Sequence, residues 1–114
     1  MSYKVCKLSC DKGVDVIKVL DNINRLITFE NVYNDIKNCG SLVIYTSVFE
    51  KYFFRTGSYA SVFITVYNSD DHYDLTVICC GGGDGILNFD WGVHNNLISG
   101  VLDIFKSYGF EMGE

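Results

Sequence analysis

Alternating apolar and polar positions dominate the middle of the chain. Residues 41–54, 59–67 and 73–80 are rich in β-branched and aromatic residues, and this pattern predicts three strands. The gaps at 56–58 and 68–72 consist of turn-forming residues. Because both gaps are short, we expect the three strands to form an antiparallel meander.

A strand and a helix are predicted before this meander. Residues 3–8 alternate between apolar and polar side chains, which is typical of a half-buried strand. Apolar residues then recur at helical spacing over 13–27, and Ser9 and Asp11 precede them as candidate caps. The segment 28–40 fits either a last helical turn or a short strand that leads into a turn, and we favour the strand.

The last predicted element is a helix. Its apolar residues follow a 3–4 spacing from Leu97 to Tyr108, and Asp90 is a candidate N-cap. Gly109 lies where a helix usually ends. Residues 86–89 can form one more strand before this helix.

The order of these elements, β-α-β-β-β-β-α, predicts an α+β fold. Two helices would cover one face of a mostly antiparallel sheet of four to six strands, which gives a two-layer sandwich. The chain has 114 residues and no linker or internal repeat. We therefore expect residues 1–114 to form a single α+β domain.

Charge and hydropathy exclude two classes of partner. The net charge is −5, and the nine basic residues are scattered, whereas nucleic-acid binding needs clustered Lys and Arg. No apolar run approaches the roughly 20 residues that cross a bilayer. The N-terminal residues lack the basic and apolar regions of a signal peptide. We expect a cytoplasmic protein that binds neither nucleic acid nor membrane.

The five cysteines limit the redox and metal chemistry that the chain can support. An odd number without a secretion signal indicates reduced thiols. Cys6 and Cys10 are separated by three residues, and Cys79 and Cys80 are adjacent. Neither spacing is typical of a zinc site, so we predict no metal and no cofactor.

The central strands divide into two kinds of face. Along each central strand, every second residue belongs to a compact aliphatic set, and the residues between them form a set of aromatic and small polar side chains. We expect the aliphatic sets, such as Ala60 to Val66 and Leu42 to Val48 at every second position, to face the helices. The aromatic set would stay partly exposed, and its members are Tyr45, Phe49, Phe53, Phe63 and Tyr67.

Three explanations of such an aromatic face stay open. The sheet can curl so that long side chains cover its back. The face can be a protein–protein contact, most simply in a two-fold homodimer. A small-molecule pocket can lie between a curved sheet and the last helix.

The glycine-rich segment 79–85 is the most unusual local feature. It is not a phosphate loop, because no Lys follows the glycines and Asp84 would repel phosphate. A tight turn or bulge explains it without a ligand. The alternative is a small-ligand site beside the loop, whose candidate residues are Gly81, Gly82, Gly83, Asp84, Trp91 and His94.

No residue is assigned a catalytic role. Cys79 or Cys80 with His94 could form a nucleophile–base pair. A solvent-facing histidine at the start of a helix explains His94 better, and a polar turn explains the acidic residues around His72. We therefore favour a protein without enzymatic activity.

Four segments carry a resemblance to a known group. The chain resembles an uncharacterised family of small proteins from low-GC Gram-positive bacteria, a domain of unknown function, over about residues 41–108. The segments are Glu50-Lys51-Tyr52, Gly57-Ser58, Gly81-Gly82-Gly83-Asp84-Gly85 and Phe89-Asp90-Trp91-Gly92. The resemblance implies a bacterial single-domain protein and no particular activity.

These observations give two expectations for function. The first is a non-enzymatic cytoplasmic module that forms a homodimer or binds a protein partner through the aromatic sheet face. The second is a small-ligand-binding domain whose site lies beside the Gly81–Gly85 loop.

Overall fold

The structure, a computed structural model, describes residues 2–11, 13–54, 57–70, 72–81 and 100–113. The side chains of Ser2, Phe53 and Ser58 lie outside this description. The elements are β1 (Ser2–Cys10), α1 (Val16–Leu26), β2 (Glu30–Cys39), β3 (Leu42–Phe53), β4 (Ser58–Ser69), β5 (His72–Gly81), α2 (residues 100–107) and β6 (Glu111–Met112).

The six strands form one antiparallel sheet in the order β2-β3-β4-β5-β1-β6. The predicted antiparallel sheet and two helices are therefore confirmed, and the ambiguous segment 28–40 contains a strand of ten residues. The short β6 pairs with β1 and was not predicted, because two residues carry no periodicity. The segment 86–89 lies outside the described residues.

Turns with left-handed backbone separate the central strands. Gly40 (φ +68°) lies between β2 and β3, and Gly57 (φ +65°) precedes β4. Asp70 (φ +56°) follows β4. Glycine and aspartate tolerate these angles better than most residues, so the turns predicted around these three positions are formed by suitable residues.

Helix α1 begins later than its candidate caps. Asp15 is the N-cap, because its side chain accepts a hydrogen bond from the Lys18 backbone N–H at 3.2 Å. Ser9 instead belongs to β1, and Asp11 lies between the strand and the cap. The helix buries Val16, Val19 and Ile23, which recur on one face.

The C-terminal end of α2 confirms the predicted helix stop. Phe110 N–H donates to the Phe105 carbonyl at 3.2 Å, and Gly109 N–H donates to the Lys106 carbonyl at 3.0 Å. With Gly109 at φ +104°, these bonds form a Schellman motif. The rings of Phe105 and Phe110 pack edge to face across it, with centroids 5.3 Å apart.

One face of the sheet and both helices bury their apolar side chains in a single core cluster. The cluster includes Leu8, Val19, Ile23, Phe49, Val62, Ile64, Val66, Leu75, Val77, Val101 and Phe105. Neither described helix combines the length and the apolarity that crossing a bilayer requires.

The structure corrects the predicted faces of β3. Phe49 lies directly opposite Val62 and is 1% exposed, and Ser47 lies opposite Ile64 and is 2% exposed. Directly paired residues share a face of the sheet, so the odd-numbered residues of β3 lie on the core side. The predicted exposure of Phe49 is therefore wrong. The predicted position of Tyr45 on the face away from the helices is also wrong, because Tyr45 pairs with Val66 and is half-buried against the core. The register of the β3–β4 hairpin decided this, because both residue sets of β3 are apolar enough to be buried.

Candidate functional site: the open face of the sheet

The sheet face opposite the core cluster, here called the open face, carries two of the five predicted interface residues. Phe63 and Tyr67 of β4 alternate with the buried Val62, Ile64 and Val66. Phe63 is 42% exposed and Tyr67 is 43% exposed. The side chain of Phe53 lies outside the described residues.

An uninterrupted apolar row crosses five strands of the open face. Direct pairing joins Tyr33 of β2 to Val48, Val48 to Phe63, Phe63 to Ile78, and Ile78 to Val5 of β1. Tyr33, Phe63 and Val5 are exposed, and the other two are partly buried. We call this set the apolar row. It exposes contiguous apolar side chains that neither described helix covers.

A second row, next to the apolar row, is polar and has a charge at each end. Asp35 of β2 pairs with Thr46, Thr46 with Thr65, Thr65 with Thr76, and Thr76 with Lys7 of β1. We call this set the threonine row. It places one acid and one base on opposite sides of the open face. Four strand spacings of about 4.8 Å separate them, so the two charges are about 19 Å apart.

The rows on either side complete the charge pattern. Beyond the threonine row, Lys37 of β2 and Asp74 of β5 lie in register with Ile44 and Tyr67. On the other side of the apolar row, Glu30 of β2 pairs with Glu50 of β3. The β2 side of this face therefore changes from acidic to basic along the strand.

A hydrogen-bonded histidine lies at one end of β5. His72 Nδ1 is 2.5 Å from Asp11 Oδ1, and His72 Nε2 is 3.2 Å from Asp74 Oδ1. The hydrogen bond to Asp11 is the main cause that raises the pKa of His72, and Asp74 adds to it. All three side chains are well exposed, so this cluster links the β1–α1 segment to β5 at the surface.

Most of the predicted small-ligand site lies outside the described residues. Gly81 ends β5, is buried, and pairs with Ser2 and Ala60. The other five candidate residues fall within 82–99, outside the described residues. A site beside the glycine-rich loop therefore stays a prediction.

The thiol of Cys79 is unsuited to nucleophilic attack at neutral pH. Its side chain lies in the core cluster, and burial raises its pKa to about 12, with Cys6 and Cys80 as smaller causes. The thiol is then protonated at neutral pH. None of the five cysteines, all of which lie in the described ranges, forms a disulfide, and Cys39 is exposed. Within the described ranges, no three His, Cys, Asp or Glu side chains are grouped to hold a metal ion.

Sequence patterns did not reveal a cleft on the core side of the sheet. A cavity of about 270 Å³ lies between α1 and strands β2 and β3, with Ile17, Leu20, Ile36 and Tyr45 among its apolar lining residues. Asn34 of β2 is part of its polar lining. The cleft exists because the core cluster extends only to β3, so the core side of β2 stays exposed. In the sequence, Ile36 is an apolar residue within a mostly polar segment, and this pattern alone does not indicate a cleft.

Comparison with known proteins assigns the chain to a protein family. A model of a family of unknown function, DUF6054, matches residues 7–109, which is most of the chain, so the chain belongs to that family. No curated protein and no solved structure matches the chain. The predicted resemblance to a family of unknown function is confirmed, and its restriction to low-GC Gram-positive bacteria stays a prediction.

Proposed function

We propose that this chain, a member of a family of unknown function, is a non-enzymatic module that forms a two-fold homodimer through the open face. The apolar row carries the proposal. It spans five strands without a charged side chain, and soluble monomers rarely expose large contiguous apolar patches. In the same proposal the fold is a two-layer sandwich whose helices leave this face uncovered.

The open face is complementary to a rotated copy of itself. Two stacked faces require a two-fold axis in the plane between the sheets. If the axis runs along β4, Phe63 meets its own copy and Tyr33 meets Val5. The same rotation brings Asp35 of one protomer opposite Lys7 of the other. The ion pair then occurs twice, once at each end of the threonine row.

Other electrostatic contacts favour this axis over the perpendicular one. With the axis along β4, Lys37 of one protomer is displaced by one strand spacing, about 4.8 Å, from the position directly opposite Asp74 of the other protomer. A lysine side chain is long enough to span this displacement. An axis along the apolar row would instead bring Asp35 opposite Glu30. Like charges at an interface oppose association, so the charge pattern favours the axis along β4.

The size of the face suits a stable dimer. Five strands about 4.8 Å apart and four rows about 6.7 Å apart give a patch of about 24 by 27 Å, or about 650 Å² before side-chain relief is counted. A standard interface buries about 800 Å² per partner. Sheets packed face to face lie about 10 Å apart with strands aligned to within about 30°, which keeps the paired rows within side-chain reach.

Sedimentation velocity over a range of protein concentrations tests the proposal. We expect the wild type to sediment as a dimer and Phe63→Asp to sediment as a folded monomer, because two carboxylates would face each other at the interface centre. Leu26→Asp is the matched control. Leu26 is 69% exposed but lies at the end of α1, so this variant should remain a dimer. Circular dichroism verifies that each variant is folded.

A charge exchange tests the orientation of the two copies. Lys7→Asp and Asp35→Lys should each weaken the dimer, because like charges then meet at both ends. The double variant restores opposite charges and should recover association. A monomeric wild type, or a Phe63→Asp protein that still dimerises, would overturn the proposed interface. A double variant weaker than both single variants would reject the axis along β4.

A further inference from the structure

The cleft between α1, β2 and β3 lies on the core side of the sheet, away from the open face. Its volume of about 270 Å³ is just below the range of about 300–1,000 Å³ that holds drug-sized ligands. Any resident molecule is therefore small. Ile17 and Leu20 of α1 form one wall, and Ile36 and Tyr45 form part of the other. These side chains suit a flat apolar ring.

The polar part of the cleft is built around the amide of Asn34. Ser47 Oγ donates a hydrogen bond to Asn34 Oδ1 at 2.7 Å, and Asn31 Nδ2 donates to the same oxygen at 3.2 Å. Asn34 Nδ2 in turn donates to Asn31 Oδ1 at 2.5 Å. Ser47 is buried, so the amide is held by a fixed partner.

The side-chain amide of Asn34 has one N–H group that makes no described hydrogen bond. A carboxamide has two N–H donors and an oxygen that accepts two bonds. Both acceptor positions of Asn34 are used, and one of its donors is used. One N–H is left over among the described contacts, on an exposed side chain that lines the cleft. It is a preorganised donor for a carbonyl oxygen.

A second carboxamide lines the same cleft from the helix. Asn24 of α1 is exposed, and the described residues give its side chain no hydrogen-bond partner. It can accept from a ligand N–H or donate to a ligand oxygen. Two uncharged amides therefore present donors and an acceptor beside an apolar wall.

Charge excludes one class of ligand. Asp21 and Asp35 line the cleft, and Asp21 pairs with Arg25 at 3.1 Å, whereas no Lys or Arg belongs to the described lining. An anion would face a carboxylate without a compensating cation. We infer that the cleft between α1, β2 and β3 binds a small uncharged ring compound that carries an amide, its carbonyl accepting from Asn34. This inference does not require the proposed dimer, although the cleft lining shares Asp35 with the threonine row.

Benzamide is a suitable probe, since it joins an aromatic ring to a neutral amide. In an NMR titration of the full chain labelled with ¹⁵N, we expect the side-chain NH₂ signals of Asn34 and Asn24 to shift. The side-chain NH₂ signals of Asn38, which lies at the C-terminal end of β2, should stay unchanged. Benzoate, the matched anion, should leave all three pairs unshifted at the same concentration.

Two variants and one control complete the test. Asn34→Ala should weaken benzamide binding about tenfold, the usual effect of losing one hydrogen bond. Asn38→Ala should bind as wild type. Ile36→Ser removes part of the apolar wall at an exposed position and should also weaken binding, whether or not Asn34→Ala folds normally. Unshifted Asn34 signals, wild-type affinity in Ile36→Ser, or equal binding of benzoate would each overturn the inference. Phe63→Asp should bind benzamide as wild type, which separates this site from the dimer.

Discussion

Replacing Phe49 and Phe63 by alanine, one at a time, tests the register of β3 directly. Phe49 is 1% exposed within the core cluster, and its truncation leaves a cavity in that cluster. Core Phe→Ala substitutions reduce the free energy of unfolding by about 3–5 kcal/mol. Phe63 is 42% exposed, so it loses only part of the roughly 1.5–3 kcal/mol that full burial contributes, or about 1 kcal/mol. The expected difference between the two variants is about 2–4 kcal/mol.

Urea unfolding followed by circular dichroism measures both free energies. Each titration is repeated at several protein concentrations, because dimer formation adds a concentration-dependent contribution to stability. The loss in Phe49→Ala should be the same at all concentrations, whereas Phe63→Ala should also reduce the concentration dependence. If the two variants lose equal stability, or if Phe63→Ala is the less stable at low concentration, β3 turns the opposite face towards the helices.

Three further predictions follow from local contacts. The pKa of His72 in the folded protein lies above 6.5. The contribution of His72 to stability is therefore present below pH 6.5 and is lost as the pH rises through the folded-state pKa. A ¹H NMR titration should show the raised pKa, and Asp11→Asn should lower that pKa. A His72 pKa that Asp11→Asn leaves unchanged would contradict the hydrogen bond as its main cause. Gly109→Ala should reduce the free energy of unfolding by about 1–2 kcal/mol, because φ +104° disfavours a Cβ atom, and chemical denaturation measures it. In a disulfide-exchange titration at pH 8, Cys39 should react in the folded protein. Cys79 should react only after unfolding, because the pKa of its thiol is about 12. Fast modification of Cys79 in the folded protein would show that Cys79 is not buried.

Several features of the fold could be predicted because they depend on local chemistry. The 3–4 spacing that ends at Gly109 predicted both the final helix and its stop, and the Schellman bonds at Gly109 confirm the stop. The turn residues around Gly57 and Asp70 predicted the two hairpins, since few residues tolerate their backbone angles. The segment 28–40 was harder, because β2 is exposed on both faces and has little hydrophobic alternation.

The candidate site was predicted only in part. Exposure of Phe63 and Tyr67 followed from the strict alternation of β4, in which the aliphatic set is clearly the buried one. In β3 the two sets are nearly equal in hydrophobicity, so composition favoured the wrong face for Phe49. Neither row of the open face was predicted, because each is formed by five strands whose register is not encoded in any single segment.

The sequence by itself determined the central strands, the two helices and the positions of the turns. These depend on interactions between residues that are close in the chain. Only the tertiary structure decided that β1 lies beside β5, that Phe49 is buried while Phe63 is exposed, and that Asp35 and Lys7 end the same row. The physical reason is that strand pairing joins distant segments, and a shift of one residue moves every side chain of a strand to the opposite face.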